Sequence, residues 1–169
     1  MPPHDSLPSV AETQLAKRLG ALPRERTQLL PALLLAQAHL GYVSDWAVER
    51  IASHLRLTVN DVEGVATSYP ELRRRPPGAH VVRVCTGLPC WTAGSERVLA
   101  ALEAALRVRA GETTADGRVT LEEIACCFVC AVAPAVEVDG RCAGRLTPEA
   151  TTALVAQLGD APTAGADGR

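Results

Sequence analysis

Apolar residues change their spacing partway along the chain, and the change divides it into two blocks. From Val10 to about Tyr69 they recur at helical intervals. Leu29, Leu33, Leu34, Ala36, Ala38 and Leu40 describe one apolar helical face, and Gly41 is a natural terminator because glycine accepts the left-handed conformation a helix end requires. Pro31 belongs in the first turn or marks a kink, since it has no N–H for the helix ladder. Ser44 is placed to cap a helix from Asp45 to about Leu55, with Trp46, Val48 and Ile51 inward. Thr58 with Asp61 reads as a capping box that opens another helix, Val59 to about Ser68. The segment PELRRRPPGAH then breaks the pattern, with Pro70, Pro76, Pro77 and Gly78 interrupting any regular element.

Past this break the spacing alternates between strand and helix periods. Val81, Val82 and Val84 form a short apolar strand ending at Cys85, and Gly94 to Val108 is a strongly amphipathic helix. Arg118 to Ala125 reads as a second strand. Ala135 to Val138 and Arg141 to Leu146 form a hairpin around the Asp139–Gly140 turn. Thr147 caps a last helix, with Pro148 at its first position, running through Leu158 to a stop at Gly159. The order β-α-β-β-β-α is that of a thioredoxin-like sheet with helices packed on it. The class is therefore α+β: a helical bundle over 11–72, a linker over 73–80 and a sheet domain over 81–159. Residues 1–10 and 160–169, rich in Pro, Gly, Ala and Asp, read as disordered tails.

Composition narrows the function classes without naming one. The net charge of −2 leaves no electrostatic footprint for nucleic acid or an anionic membrane. The longest strongly apolar run, LLPALLLA from Leu29, is far short of the roughly 20 residues a membrane span needs. MPPHDSLPSV has neither the basic nor the apolar part of an export signal, so the six cysteines read as thiols or metal ligands rather than a disulfide framework. His4, His39, His54 and His80 are scattered, and no residue suggests a general acid, base or nucleophile. The run Arg73–Arg74–Arg75 is read as solvated surface, the alternative being a docking patch for an acidic partner face.

Five of the six cysteines lie in VCTGLPC and ACCFVCAVAP, four of them as two pairs, Cys85-x4-Cys90 and Cys126-x3-Cys130. Four converging thiolates are what an iron–sulfur cluster requires, because sulfide-bridged iron is held by soft, charge-donating sulfur. The x4 spacing is not that of the short C-x2-C knuckles of structural zinc sites. About thirty-five residues separate the pairs, enough for a helix and a strand, so two loops of one fold would hold a binuclear cluster. Tight turns at Gly87 and Pro89, and a helix beginning over Thr92 to Ser95, would supply amide N–H groups to a negatively charged cluster. Ala131 to Pro134 would give a small, apolar flank. Spacing alone leaves Cys126 (x3) and Cys127 (x2) both open as the third ligand, and consecutive residues near a strand end point opposite ways. Cys142, without a partner at ligand spacing, reads as a buried, inert thiol.

Two stretches, LLPALLLAQAHLGYVSDWAVERIASHLRL–VEGVATSY and PPGAHVVRVCTGLPCWTAG–GETTADGRVTLEEIACCFVCAVAP–GRLTPE, resemble the thioredoxin-like [2Fe–2S] ferredoxin subunit of NADH:quinone oxidoreductase (respiratory complex I), over roughly residues 20–158. The same module occurs in NAD-linked formate dehydrogenases and NAD-reducing hydrogenases. The resemblance implies one [2Fe–2S] cluster held by Cys85, Cys90, Cys126 and Cys130, and places the third ligand at Cys126. It implies a non-autonomous electron-transfer subunit, with FMN and NADH on a partner subunit and a further iron–sulfur subunit nearby. It also implies a cytoplasmic location on the inner face of the cell membrane, with no direct membrane insertion. The family usually carries an aromatic residue where Ser68 stands, and Leu-Gly where Cys127 and Phe128 stand; the lost glycine bears on the loop's backbone and its amides.

Rival readings carry less. AVERIASHLRLTVNDVEGVATSY has helix-turn-helix proportions, but its reading helix bears Asp61 and Glu63 and no Lys or Arg, which DNA would repel. Cys127-x2-Cys130 has thiol–disulfide oxidoreductase spacing but precedes a strand rather than a helix. Zinc on the same four cysteines is the third alternative. GETTADG lacks the strand–turn–helix context of a dinucleotide fingerprint. The helical block is read as an assembly element, with Trp46 and Tyr69 as interface anchors.

Overall fold

A computed structural model describes residues 9–160. The tails expected over 1–10 and 160–169 lie outside these, apart from Ser9, Val10 and Asp160, which belong to helix ends. The chain divides into two compact units that meet between Pro76 and Pro77.

The first unit is helical: α1 (Val10–Gly20), α2 (Leu29–Leu40), α3 (Asp45–Leu55) and α4 (Val59–Ser68). Polar side chains close the helix starts. Ser9 and Glu12 form a reciprocal capping box on α1, Ser44 Oγ accepts from the Ala47 amide at 3.1 Å, and Thr58 and Asp61 exchange bonds at the start of α4. Gly41 (φ 80°) ends α2 in the left-handed conformation. The core gathers Leu15, Leu33, Val43, Val48, Ile51 and Val62. The buried stripe of α2 is Leu29, Ala32, Leu33 and Ala36, whereas Leu34 is half exposed. The expected face was rotated: spacing of three and four from Leu29 selects Ala32, Leu33 and Ala36, and Leu34 lies one step, about 100°, further round. Trp46 is half-buried rather than fully inward, with the Arg50 guanidinium 5.4 Å above its ring.

The arginine run is not uniformly solvated. Arg74 donates to the Val43 carbonyl and to carboxylates of Asp45 (2.8 Å) and Glu63 (2.5 Å), tying the turn before α3 to α4. Gln37 clamps the same segment from α2, donating to the Glu71 carbonyl at 2.7 Å and accepting from the Arg73 amide at 2.6 Å.

The second unit contains β1 (His80–Cys85), α5 (Leu88–Thr92), α6 (Ser95–Leu106), β2 (Val119–Ile124), β3 (Ala135–Val138), β4 (Arg141–Gly144) and α7 (Pro148–Asp160). The four-stranded sheet has the order β2-β1-β3-β4. β1 and β2 run parallel, from His80 opposite Val119 to Cys85 opposite Ile124, while β3 is antiparallel to both β1 and β4. Val82, Val84, Leu121 and Val136 of the sheet pack with Val98 and Leu102 of α6 and Leu158 of α7. On the alternate positions, Arg83 bridges Glu122 at 3.0 Å and Glu137 at 3.1 Å, joining three strands through one guanidinium. The GETTADG segment folds back along β2, with the Gly111 amide on the Leu121 carbonyl at 2.7 Å and Thr114 on Val119 at 2.8 Å.

The β3–β4 turn has Asp139 at φ 49° and Gly140 at φ 81°, both left-handed as a two-residue hairpin turn demands. Asp139 also accepts from the Val81 amide at 2.8 Å and contacts the buried His80 ring nitrogen Nδ1 at 2.7 Å. α7 runs through Gly159 to Asp160 instead of stopping at that glycine. Among the described residues, no helix is long and apolar enough to cross a membrane.

The Thr58 hydroxyl, then the Thr58 amide, hold the Asp61 carboxyl below the usual carboxylate range. A depressed folded value contributes stability that is present above the unfolded value of about 3.9 and is lost as pH falls through the folded one. Asp61→Asn is therefore expected to lower the thermal midpoint at pH 7, with the gap to the parent closing below about pH 4. Thermal melts followed by circular dichroism check this; a gap that persists in acid would show that the charge is not the cause.

Candidate metal centre

Both cysteine loops leave the same end of the sheet because β1 and β2 are parallel and in register to their last residues, Cys85 and Ile124. β3 enters at that end, Val84 lying opposite Val136. The loops are zipped together by the Thr86 amide on the Ile124 carbonyl at 2.9 Å. Gly87 is needed for this approach: a Cβ there would stand 2.7 Å from the Ala125 carbonyl oxygen. The helix of the first loop begins at Leu88, with Gly87 as its cap, and includes Cys90. The helix start expected over Thr92 to Ser95 is therefore the junction of two helices, at which Gly94 turns left-handed (φ 93°).

Cys85 and Cys90 are buried together with Ala135, and Ile124, Val129 and Ala133 pack around them. Cys126 and Cys127 are half-buried, while Cys130 and Cys142 are exposed. The thiols of Cys85 and Cys90 lie close enough to act on one another, and Cys130 lies close enough to Cys90 to act on it through charge. The Cys126 sulfur is held within its own loop by the Phe128 amide at 3.2 Å. It is Cys127, by both its amide and its thiol, that reaches Cys85.

Backbone amides converge on these sulfurs. Burial raises the Cys85 thiol, but bonds from the Cys127 and Gly87 amides, with the Cys90 and Cys127 thiols, outweigh it and bring it below the ordinary value. Cys90 is raised, first by burial and then by the neighbouring Cys85 thiol, and the Ala135 amide offsets part of this. Cys127 is pushed up to about 12 by burial and by the neighbouring Cys85 and Cys142 sulfurs. Amide donors on sulfur are the surroundings that stabilise a negatively charged metal–thiolate group.

Two features of the second loop went unread or misread in the sequence. Cys142 is not a buried, solitary thiol: its sulfur, the Cys127 sulfur and a Glu137 carboxylate oxygen lie within 4.8 Å of one another. The hairpin register carries that signal, since a two-residue turn at Asp139–Gly140 sets Cys142 opposite Glu137. Phe128 keeps the left-handed backbone (φ 59°) and stands 90% exposed. Phe128 thus holds a conformation that glycine adopts without strain.

A mixed α+β sheet with sulfur-bearing loops gathered at one strand end defines a thioredoxin-like metal-binding domain. The chain belongs to the thioredoxin-like [2Fe–2S] ferredoxin family, whose model matches residues 15–159. It is 37% identical over 130 residues to the NADH-quinone oxidoreductase E subunit of Pseudomonas aeruginosa, covering 77% of this chain and 78% of that one. The corresponding protein of Escherichia coli K12 is 39% identical over 130 residues, with the same coverage of 77% and 78%. That of Mycobacterium bovis is 37% identical over 159 residues, 92% of this chain and 63% of the relative. Among solved structures, an NAD+-reducing [NiFe]-hydrogenase in the H2-reduced state superposes with a TM-score of 0.67 at 24% identity. That likeness covers 83% of this chain but 24% of the hydrogenase chain, and concerns the fold.

A side chain at positive φ costs about 1–2 kcal/mol, and glycine's entropy returns roughly 0.5–1 of this. Phe128→Gly is accordingly expected to match or exceed the parent in urea midpoint, with Phe128→Val, β-branched at the same φ, the least stable of the three. A clearly lower midpoint for the glycine variant would assign the exposed ring a packing role.

Proposed function

We propose that Cys85, Cys90, Cys126 and Cys130 hold one [2Fe–2S] cluster and that the chain is an electron-transfer subunit of an NADH:quinone oxidoreductase. The observation that carries this reading is the gathering of two soft-sulfur loops at one sheet end with backbone amides directed at the sulfurs. The donor set fits the cluster: thiols of low hardness, two of them buried, with hydrogen-bond donors to offset added negative charge. When bound, the cluster supplies single-electron exchange, for which the natural counterpart is a flavin on a partner subunit that accepts hydride from NADH. Gly87 and Cys127 amides stabilise charge at Cys85, and the Ala135 amide does so at Cys90. Val129 and Ala133 screen the buried sulfurs from water. Leu88, Trp91 and Phe128, exposed on or beside the cysteine loops, offer an apolar face to the partner.

Cys126 is taken as third ligand on the family resemblance, and its half-buried sulfur accepts the amide two residues on. The helical unit is read as the docking element, with the half-buried Trp46 and the exposed Tyr69 as anchors. Attachment to the inner face of the cytoplasmic membrane would follow from assembly with the other subunits.

Replacing Cys85, Cys90, Cys126 or Cys130 with Ser should abolish or strongly perturb the visible charge-transfer bands of the anaerobically purified protein. Cys127→Ser should retain them. A cluster lost in Cys127→Ser yet intact in Cys126→Ser would move the ligand by one position.

The loaded chain in isolation should be reduced by dithionite and left oxidised by NADH, becoming NADH-reducible once the flavin-bearing subunit is added. Stoichiometric reduction by NADH of the chain alone would require a hydride-accepting site that this reading does not contain.

A further inference from the structure

The cluster reading leaves one group of metal-ligating side chains unused. Glu137 of β3 and Cys142 of β4 are directly opposed cross-strand partners, so their side chains stand side by side on one sheet face. Cys127, from the second cysteine loop, reaches the same place. One sulfur from each cysteine and one carboxylate oxygen lie within 4.8 Å of one another.

We propose that Cys127, Glu137 and Cys142 form a second metal site, distinct from the cluster ligands, that takes one thiophilic divalent cation of the Zn2+ or Cd2+ class. Two sulfurs and a carboxylate are the mixed donor set that borderline and soft d10 ions prefer, and they would discriminate against Mg2+ and Ca2+, which demand oxygen ligands throughout. The exposure of Cys142 leaves room for water as a fourth ligand. Arg83 donates to Glu137 at 3.1 Å and so orients the carboxylate, as an outer-shell partner of a metal ligand does. The same guanidinium serves Glu122 at 3.0 Å. Arg83 occupies one Glu137 oxygen from one side, and the carboxylate has further lone pairs with which to meet a cation.

The site rests on the hairpin register and not on the cluster assignment, and the two can fail separately because the cluster's visible bands report only on its own ligands. The test uses the full chain loaded with its cluster, kept anaerobic in a thiol-free reductant and titrated with Cd2+ alone. The expected result is one tightly bound equivalent with an ultraviolet thiolate-to-cadmium band and unchanged visible bands. Cys142→Ala, a change on an exposed strand, should weaken binding at least ~100-fold, and Glu137→Gln about 10-fold. Equal affinity in the Cys142→Ala variant would overturn the proposal. So would bleaching of the visible bands in step with the first equivalent, which would mean that the ion takes the cluster's cysteines.

Discussion

Everything at the sulfur site depends on the parallel pairing of β1 with β2. Parallel strands in register finish at the same end of a sheet, so two loops more than thirty residues apart in sequence are brought side by side by the strand pairing itself. The closeness is then limited only by backbone bulk, and Gly87 removes that limit against the Ala125 carbonyl. A longer side chain there would part the loops and with them the two cysteine pairs.

Bringing several thiols together has an electrostatic cost, since each thiolate opposes ionisation of the next. The fold meets it with backbone. Loops that follow a finished strand leave amides without ladder partners, and those of Gly87, Cys127 and Phe128 turn to sulfur, joined by that of Ala135 at the start of β3. Local geometry and charge are thus one problem with one solution: the turn that releases the amides is also the turn that carries the cysteines.

The other face of the same sheet is organised by charge rather than by apolar packing. Arg83 sits at the register position shared by Glu122 on β2 and Glu137 on β3, and Cys142 follows across β4. A slip of one residue in any of these strands would separate the guanidinium from a carboxylate and turn the valines of the core outward. The ion pairs therefore specify register more than they add stability, because half-buried pairs return little net energy. In the helical unit Arg74 does related work, holding a turn and a helix start together through three acceptors.

Caps, turns and spacings were legible from residue types alone. Ser44, Thr58 with Asp61, Gly41 and Asp139–Gly140 each act through bonds or backbone freedom within a few residues, so their roles do not depend on the rest of the fold. The α+β class was legible for the same reason, because a change of apolar period records which side of each element is buried. The thioredoxin-like [2Fe–2S] family was legible through cysteine spacing and flanking motifs. Other features were decided by contacts distant in sequence. Which stripe of α2 is buried depends on how neighbouring helices approach it, and Leu34 lost that place to Ala32. Arg74 looked like one of three solvated arginines until Val43, Asp45 and Glu63 converged on it. Cys142 had no partner at any short spacing; only the folding of β4 against β3, beneath the second cysteine loop, placed it beside Glu137 and Cys127. Local rules fix what each segment is, whereas which side chains meet is settled when strands pair and helices pack.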